Sequence, residues 1–294
     1  MDSTKTPLDK KLLNSGLNLL QRPALPLVSM VQFLFLTGPF TKVTEVIGEM
    51  PAPIETGYAT YDQPQELLRR HQQALELLER VKSGAELDFE VVTAQGEPVD
   101  AMTAVSAVIM QQVLTDELEE INSLLCAPCN CRLCCIGPDS SMEQDFFEIP
   151  LRDGEPSFFA VDRLDTTASR AHCSMDEEPL QENNAPFYKR NKSALVHWQN
   201  GWSLILPKST TCPNLEPSQG RCQVYADRPE VCRRPQIFPY VIEKLDSKGA
   251  KPLYRLRQSL LAIVDCPYVG VLQDEIAAYG AACELEVLFK QNKA

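Results

Sequence analysis

The stretch Asp100–Cys135, DAMTAVSAVIMQQVLTDELEEINSLLCAPCNCRLCC, joins two textures of sequence in a single run. Val105, Ile109, Leu114, Leu118, Ile121 and Leu125 recur at the three- and four-residue spacing of one helix face, which predicts a helix with a buried stripe to about Leu125. Asp100 or Thr103 can cap its start, since a short oxygen-bearing side chain accepts the free N–H groups of a first turn. From Cys126 to Cys135, five of ten residues are cysteine. The predicted helix therefore carries a dense group of thiols to a fixed place.

Before this run, PQELLRRHQQALELLERVKSG predicts a second helix. Pro64 suits its first turn, Leu67, Leu68, Leu75, Leu78 and Val81 share a face, and Gly84 ends it. Residues 1–60 contain Pro23, Pro26, Pro39, Pro51 and Pro53 and read as short elements joined by turns. LDFEV alternates like a short strand. After Cys135 the pattern changes to short strands. FFEIPL and SFFAVDR are strand-like, and ALVHWQNGWSLIL reads as a hairpin turning at Asn200-Gly201. FPYVIEKL and LYRLRQSLLAIV pair as antiparallel strands, and DEEPLQENNAP reads as a loop. The tail from Val271 to Lys290 reads as a helix with Leu272, Ile276, Cys283 and Val287 on one side. The expected class is α+β: a helical N-terminal region, residues 1–125, packed on a cysteine-rich domain, residues 126–294, with short antiparallel strands and a C-terminal helix.

Charge divides at the same place. Residues 1–125 hold 9 Lys and Arg against 18 Asp and Glu, whereas residues 126–294 hold 19 against 22. The whole chain of 294 residues carries a net charge of −12, and a duplex-binding protein needs a basic face, so nucleic acid is an unsuitable partner. The acidic N-terminal helices offer a docking face for a protein, with an ordinary solvated surface as the alternative. The apolar run VSMVQFLFLTG begins at Val28, after a lead containing Lys5, Lys10, Lys11 and Arg22. That position does not suit a secretory signal and the run is too short to cross a bilayer, so a cytoplasmic protein with no transmembrane segment is expected. No phosphate-binding glycine loop and no zinc-protease histidine pair occurs.

All eleven cysteines lie beyond residue 125. Adjacent Cys134 and Cys135 can bond to each other only with severe strain, and cytoplasmic thiols stay reduced, so a disulfide framework fits poorly. Cys126 and Cys129, then Cys131, Cys134 and Cys135, have the short spacers that let a turn bring two sulfurs to one ion. Adjacent cysteines point apart, so Cys134 and Cys135 suit two metals, or two irons of a cluster. Cys212, Cys222, Cys232 and Cys266 follow at longer intervals and would be gathered by the fold. Arg132, Arg221, Arg228, Arg233 and Arg234 accompany them, and guanidinium groups can donate to thiolate sulfur and offset its charge. Surface ion pairs are the plainer role for some of these arginines.

CNCRLCC, then GRCQVYADRPEVCRR and DCPY, resemble the YkgJ-type family of zinc- or iron-chelating proteins. That family has eight cysteines: a Cys-x2-Cys-x2-Cys-Cys block, an isolated Cys, Cys-x2-Tyr-x2-Arg-Pro-x2-Cys-Arg, and a later Cys. Cys222, Tyr225, Arg228, Pro229, Cys232 and Arg233 match the middle signature fully. Cys131, Cys134 and Cys135 match the end of the first block, and Cys212 and Cys266 suit the isolated positions. The block's first cysteine falls at Pro128, flanked by Cys129 and Cys126; either can serve, and Cys129 is nearer. The aromatic–Pro pair expected just after Cys-Arg is displaced to Phe238-Pro239. The resemblance spans roughly residues 126–270, with a long insertion between Cys135 and Cys212, and leaves residues 1–120 without a role. It implies a site for zinc or an iron–sulfur cluster, and the family's reaction is itself unsettled.

The radical-enzyme spacing Cys-x3-Cys-x2-Cys is excluded by Ala127, and the ferredoxin spacing is absent. Cys-Cys adjacency and distant ligands favour iron–sulfur over zinc knuckles. The functions expected from such a centre are structural, electron-transferring or metal-handling. Alternatives are a cluster-dependent enzyme, since the block also distantly resembles that of flagellin lysine methylases, and a zinc-stabilised interaction module. His172-Cys173 reads as an extra metal ligand or, less well, as a thiol with its base. His71, His197, Cys283, Tyr225 and Trp202 read as ordinary structural residues.

Overall fold

The computed structural model describes residues 8–129, 131–216, 221–234, 236–245 and 249–291. The chain forms two compact units. Unit 1 comprises Met1–Cys129 and Gln236–Asn292; unit 2 is Asn130–Pro235. The sequence reading divides the chain once, after residue 125, whereas the structure divides it twice and returns the C-terminal strands to the helical unit.

Unit 1 opens with a 3-10 turn at Lys10–Leu13 and helices α1 (Asn14–Leu20), α2 (Leu25–Thr37) and α3 (Val43–Glu49). A small hairpin, β1 (Ile54–Glu55) and β2 (Thr60–Tyr61), leads to α4 (Pro64–Arg70), α5 (Gln72–Leu75) and α6 (Leu77–Lys82). β3 (Glu90–Val92) and the long α7 (Ala101–Cys129) follow. Unit 2 contributes β4 (Phe146–Leu151), β5 (Arg163–Leu164), β6 (Gln181–Glu182), β7 (Ala185–Pro186), β8 (Ala194–Trp198), β9 (Gly201–Pro207) and α8 (Glu230–Arg233). Unit 1 is completed by β10 (Ile237–Leu245), β11 (Leu253–Ile263), α9 (Pro267–Val271), α10 (Gln273–Ala282) and β12 (Glu286–Lys290). The α+β class and the C-terminal helix are as read from the sequence.

In unit 1 the predicted stripe of α7 is buried from Val105 to Leu125, at no more than 1% exposure. Asp100 caps the helix by accepting the Thr103 N–H at 3.0 Å. The helix continues past Leu125 to Cys129, with Pro128 in its last turn, so the first two cysteines are helical. The predicted 64–84 helix is three short pieces, broken at His71 and Glu76, and it ends at Gly84 with φ +73°. β10 and β11 form an antiparallel pair along their length. β3 and β12 run parallel to β11 and share its other edge, with β3 beside Leu253–Arg255 and β12 beside Ser259–Ile263. Gln258, between those two sections, has φ +48°. The outer edge of β10 is met by polar side chains of α7: Gln111 accepts the Val241 N–H at 2.9 Å, and Asn122 accepts that of Ile237 at 3.1 Å. Side chains from a helix thus satisfy backbone groups that an edge strand would leave open.

The tail differs from the predicted helix. α10 stops at Ala282, Glu284 reverses the chain at φ +57°, and Glu286–Lys290 is strand β12. The open edge of β11 offers backbone partners to an extended Val287-Leu288-Phe289, and these side chains suit a strand. Gly280 permits the return, because a Cβ there would lie 2.2 Å from Val287 Cγ2.

One helical stretch, Lys10–Thr37, is long and apolar enough to cross a membrane by length and composition, with 44% of its most apolar window buried. It bends between α1 and α2, and Leu13, Leu20, Leu27, Val28, Val31 and Phe35 belong to the core of unit 1.

In unit 2 the strands stand in the order β4-β9-β8-β5, antiparallel except for β5 beside β8. The predicted hairpin is present, but Trp198 pairs with Gly201, so Gln199 and Asn200 make the turn and Gly201 opens β9 with φ +121°. SFFAVDR is mostly not strand: Glu155–Phe158 is a 3-10 turn and only Arg163–Leu164 pairs. The predicted loop 176–186 holds a minimal hairpin, β6 and β7, turned by Asn183 and Asn184, both at positive φ. Alternation along β8 and β9 sends Val196, Trp198 and Ile205 to one apolar cluster and Leu195, Leu204 and Leu206 to another, one on each face.

Candidate metal centre

Unit 2 holds six of the predicted ligands: Cys131, Cys134, Cys135, Cys212, Cys222 and Cys232. Backbone pairing explains how chain segments far apart in sequence meet. Beyond β9 the chain runs beside residues 135–138. The Cys212 N–H donates to Cys135 O at 2.8 Å, Gly137 N–H to Thr210 O at 2.9 Å, and Ser209 N–H to Pro138 O at 2.8 Å. Gly137 allows this approach, since a Cβ would lie 2.1 Å from Pro207 O. Cys222 is held by the bridge between its own backbone and that of Leu215, three residues after Cys212. Cys232 lies in the short helix α8, whose first residue, Glu230, is 6% exposed. The Glu230 carboxylate pairs with Arg152 and Arg234, and the Glu230 N–H donates to Glu155 at 2.8 Å.

Electrostatics tie the six together. Cys134 Sγ and Cys135 Sγ are 4.0 Å apart, and a hydrogen bond between them draws the Cys134 thiol down while raising that of Cys135. Burial pushes Cys212 up to about 11 and Cys232 up to about 12, and it raises Cys222 as well. Cys131 and Cys134 repel each other's charge, and so do Cys212, Cys222, Cys232 and Cys134 among themselves. Arg228 opposes this. It is 7% exposed, stacks on the Tyr225 ring with 3.8 Å to the centroid, and lowers Cys134, Cys222 and Cys232. Of the five arginines singled out, Arg228 faces the thiols and Arg234 serves Glu230.

Three predicted ligands lie in unit 1. Cys126 and Cys129 stand three residues apart on the last turns of α7, packed against the apolar core, so their spacing puts both on one face. Cys266 precedes α9 and is 4% exposed. Cys283 is a buried core residue, and burial pushes its thiol well above the ordinary range. The His172-Cys173 pair has other partners: His172 Nδ1 meets Ala168 O at 2.8 Å, and Cys173 Sγ lies 3.7 Å from Gln199 Oε1. His197 stacks on Trp202 and meets Asp165 at 3.1 Å, as a structural residue would.

Thiols are soft donors, and protonated thiols held near one another would gain from a cation that replaced their protons. Among the described residues, no group of three or more His, Cys, Asp or Glu side chains is placed to hold a metal ion.

Sequence reasoning missed Glu230 and Gly137. The first lay inside the RPEVCRR motif as a charged residue between ligands, and the second was hidden because its role depends on a strand seventy residues away. No family model, no curated protein and no solved structure matches this chain.

Proposed function

We propose that this protein binds zinc or an iron–sulfur cluster through cysteine thiolates centred on unit 2, in a structural, electron-transferring or metal-handling role. The observation that carries the reading is that Cys131, Cys134, Cys135, Cys212, Cys222 and Cys232, spread over residues 131–232, act on one another's charge, with the buried Arg228 beside Cys134, Cys222 and Cys232. Three separate chain segments deliver them, and Cys135 and Cys212 are linked directly through their backbones. An ordinary small domain has no need to bring so many thiols together. The resemblance to the YkgJ-type family accords with this, because its Tyr225, Arg228 and Cys232 positions are ones that converge. A reducing, cytoplasmic compartment suits a chain that carries eleven cysteines.

The resemblance assigns the family's two remaining positions to Cys266 and to one of Cys126 and Cys129. When bound, the metal would supply cross-linking of the thiolates and, as a cluster, one-electron chemistry. Arg228 would offset the net negative charge of the thiolate set, and Glu230 would hold the helix that carries Cys232.

The test is metal and acid-labile sulfide per chain, on protein purified without oxygen. Iron with matching sulfide establishes a cluster, and zinc without sulfide establishes a structural site. Cys131→Ser and Cys222→Ser should each lower metal content by at least half. A wild-type protein with neither metal, and no uptake on reconstitution, overturns the proposal.

A further inference from the structure

The two edges of the unit 1 sheet are treated differently. α7 covers the edge of β10 with Gln111 and Asn122, whereas β12 has β11 on one side and, among the described residues, no strand on the other. The Val264 N–H donates to Lys290 O at 2.9 Å, so the backbone groups of Lys290 face β11. Alternation along a strand turns those of Leu288 and Glu286 the same way and sends those of Val287 and Phe289 to the open edge. The side chains alternate between the two faces of the sheet. Val287, which lies against Gly280 of α10, shares one face with Phe289, and Glu286, Leu288 and Lys290 share the other. Phe289 is 39% exposed, and Glu286 and Lys290 are exposed and make no salt bridge among the described residues.

The run Glu-Val-Leu-Phe-Lys of β12 is complementary to its own reverse. Laid antiparallel on a second copy about Leu288, the strand sets Val287 opposite Phe289 of the second copy as a hydrogen-bonded pair, twice by symmetry. The N–H and C=O groups that each of these residues turns to the open edge then find partners. Leu288 faces Leu288 of the second copy, and Glu286 faces Lys290 of the second copy, at the non-hydrogen-bonded positions where side chains come closest. Opposite charges at such positions attract, and like charges repel. We propose that β12 is a dimerisation edge, which pairs antiparallel with β12 of a second copy of this chain and carries a Glu286–Lys290 ion pair at each end. The sheet then runs on through both copies, and the exposed Phe289 ring lies beside Val287 of the second copy. An open edge carrying apolar side chains is a template for pairing, and here the charges choose the partner and the register. This inference is independent of the metal reading.

The experiment is sedimentation of the full chain as purified, from about 1 to about 300 µM, at low and at high salt. A short strand edge is a small interface, so wild type should dimerise with a Kd on the order of 10–100 µM that weakens as salt rises. Lys290→Glu sets carboxylates opposite each other at both ends and should raise Kd about 10-fold or more. Glu286→Lys combined with Lys290→Glu exchanges the charges, restores opposite pairs and should bring Kd back to within about 3-fold of wild type. Phe289→Pro removes an outward N–H, leaves the ladder to β11 intact and should abolish the dimer, with folding checked by circular dichroism. Should Phe289→Pro fail to fold, the charge exchange carries the test. A wild type that stays monomeric throughout overturns the proposal. So does a dimer indifferent to Lys290→Glu, one that the charge exchange does not restore, or a folded Phe289→Pro that dimerises like wild type.

Discussion

In unit 1 a single apolar cluster runs from Leu13 to Leu285 and takes in helices α1, α2, α3 and α7 together with the β10–β11 pair. In unit 2 the buried apolar side chains fall into two small clusters, Leu180, Phe187, Val196, Trp198 and Ile205 on one side and Phe159, Leu195, Leu204 and Leu206 on the other. Each face of the unit 2 sheet thus has only a thin apolar cover. The difference teaches where cross-links are needed. A core that is continuous holds itself by burial, whereas a unit with little core is commonly fastened by disulfides or metal. Unit 2 is the unit that holds seven of the eleven cysteines.

On the proposed metal reading, this contrast is broken most directly with a chelator. With a chelator present, hydrogen exchange in β8 and β9 should speed up on the order of 100-fold or more, because binding free energy is then lost from the folded state. Exchange in α7 and β11 should stay the same. Equal acceleration in both units would mean that they do not differ in what holds them.

The opposite perturbation is a hole in the continuous core. Leu114 is 0% exposed, and Leu114→Ala should cost about 3 kcal/mol, measured as a fall in the urea midpoint of unit 1. Metal content should not change. Loss of metal would show the two kinds of support to be coupled.

A subtler probe is Glu117 on α7, which accepts the Tyr279 hydroxyl and the Ala24 N–H at 2.9 Å. Burial raises its carboxyl from 4.5 to about 7. Between those values the folded protein keeps a proton that the unfolded chain has released. Its contribution is full below pH 4.5 and is lost as pH rises through about 7. Wild type should therefore lose about 2–3 kcal/mol in unit 1 between pH 5 and pH 8 relative to Glu117→Gln. Parallel pH profiles of the two proteins would refute this. The smallest effect belongs to Cys283→Ala, which should cost about 1 kcal/mol and leave metal stoichiometry intact. Metal loss there would extend the ligand set to the end of α10.

Much of this contrast was legible in the residues. The stripe from Val105 to Leu125, the Asp100 cap and the β8–β9 hairpin follow from local periodicity and turn chemistry. The tail was misread because Leu272, Ile276, Cys283 and Val287 fit a helical spacing, and only the free edge of β11 makes residues 286–290 a strand. The same holds for the boundary at residue 125. The change in texture is real, but strands that follow the cysteine-rich stretch complete the helical unit, and no local pattern announces a return. At the candidate site the thiols were visible as residue types. Gly137 was not, since a glycine acquires its role from a partner strand far along the chain.

The double crossing between units also has a kinetic meaning. β3 pairs with β11 across more than 160 residues of intervening chain, and α7 meets β10 only after all of Asn130–Pro235 has been made. During synthesis every residue of the inserted unit leaves the ribosome before the strands that complete its host. Pairing at such sequence separation is slow, because the loop must close before the contact rewards it. The thin-cored insert is therefore made first, and the thick-cored host is finished last.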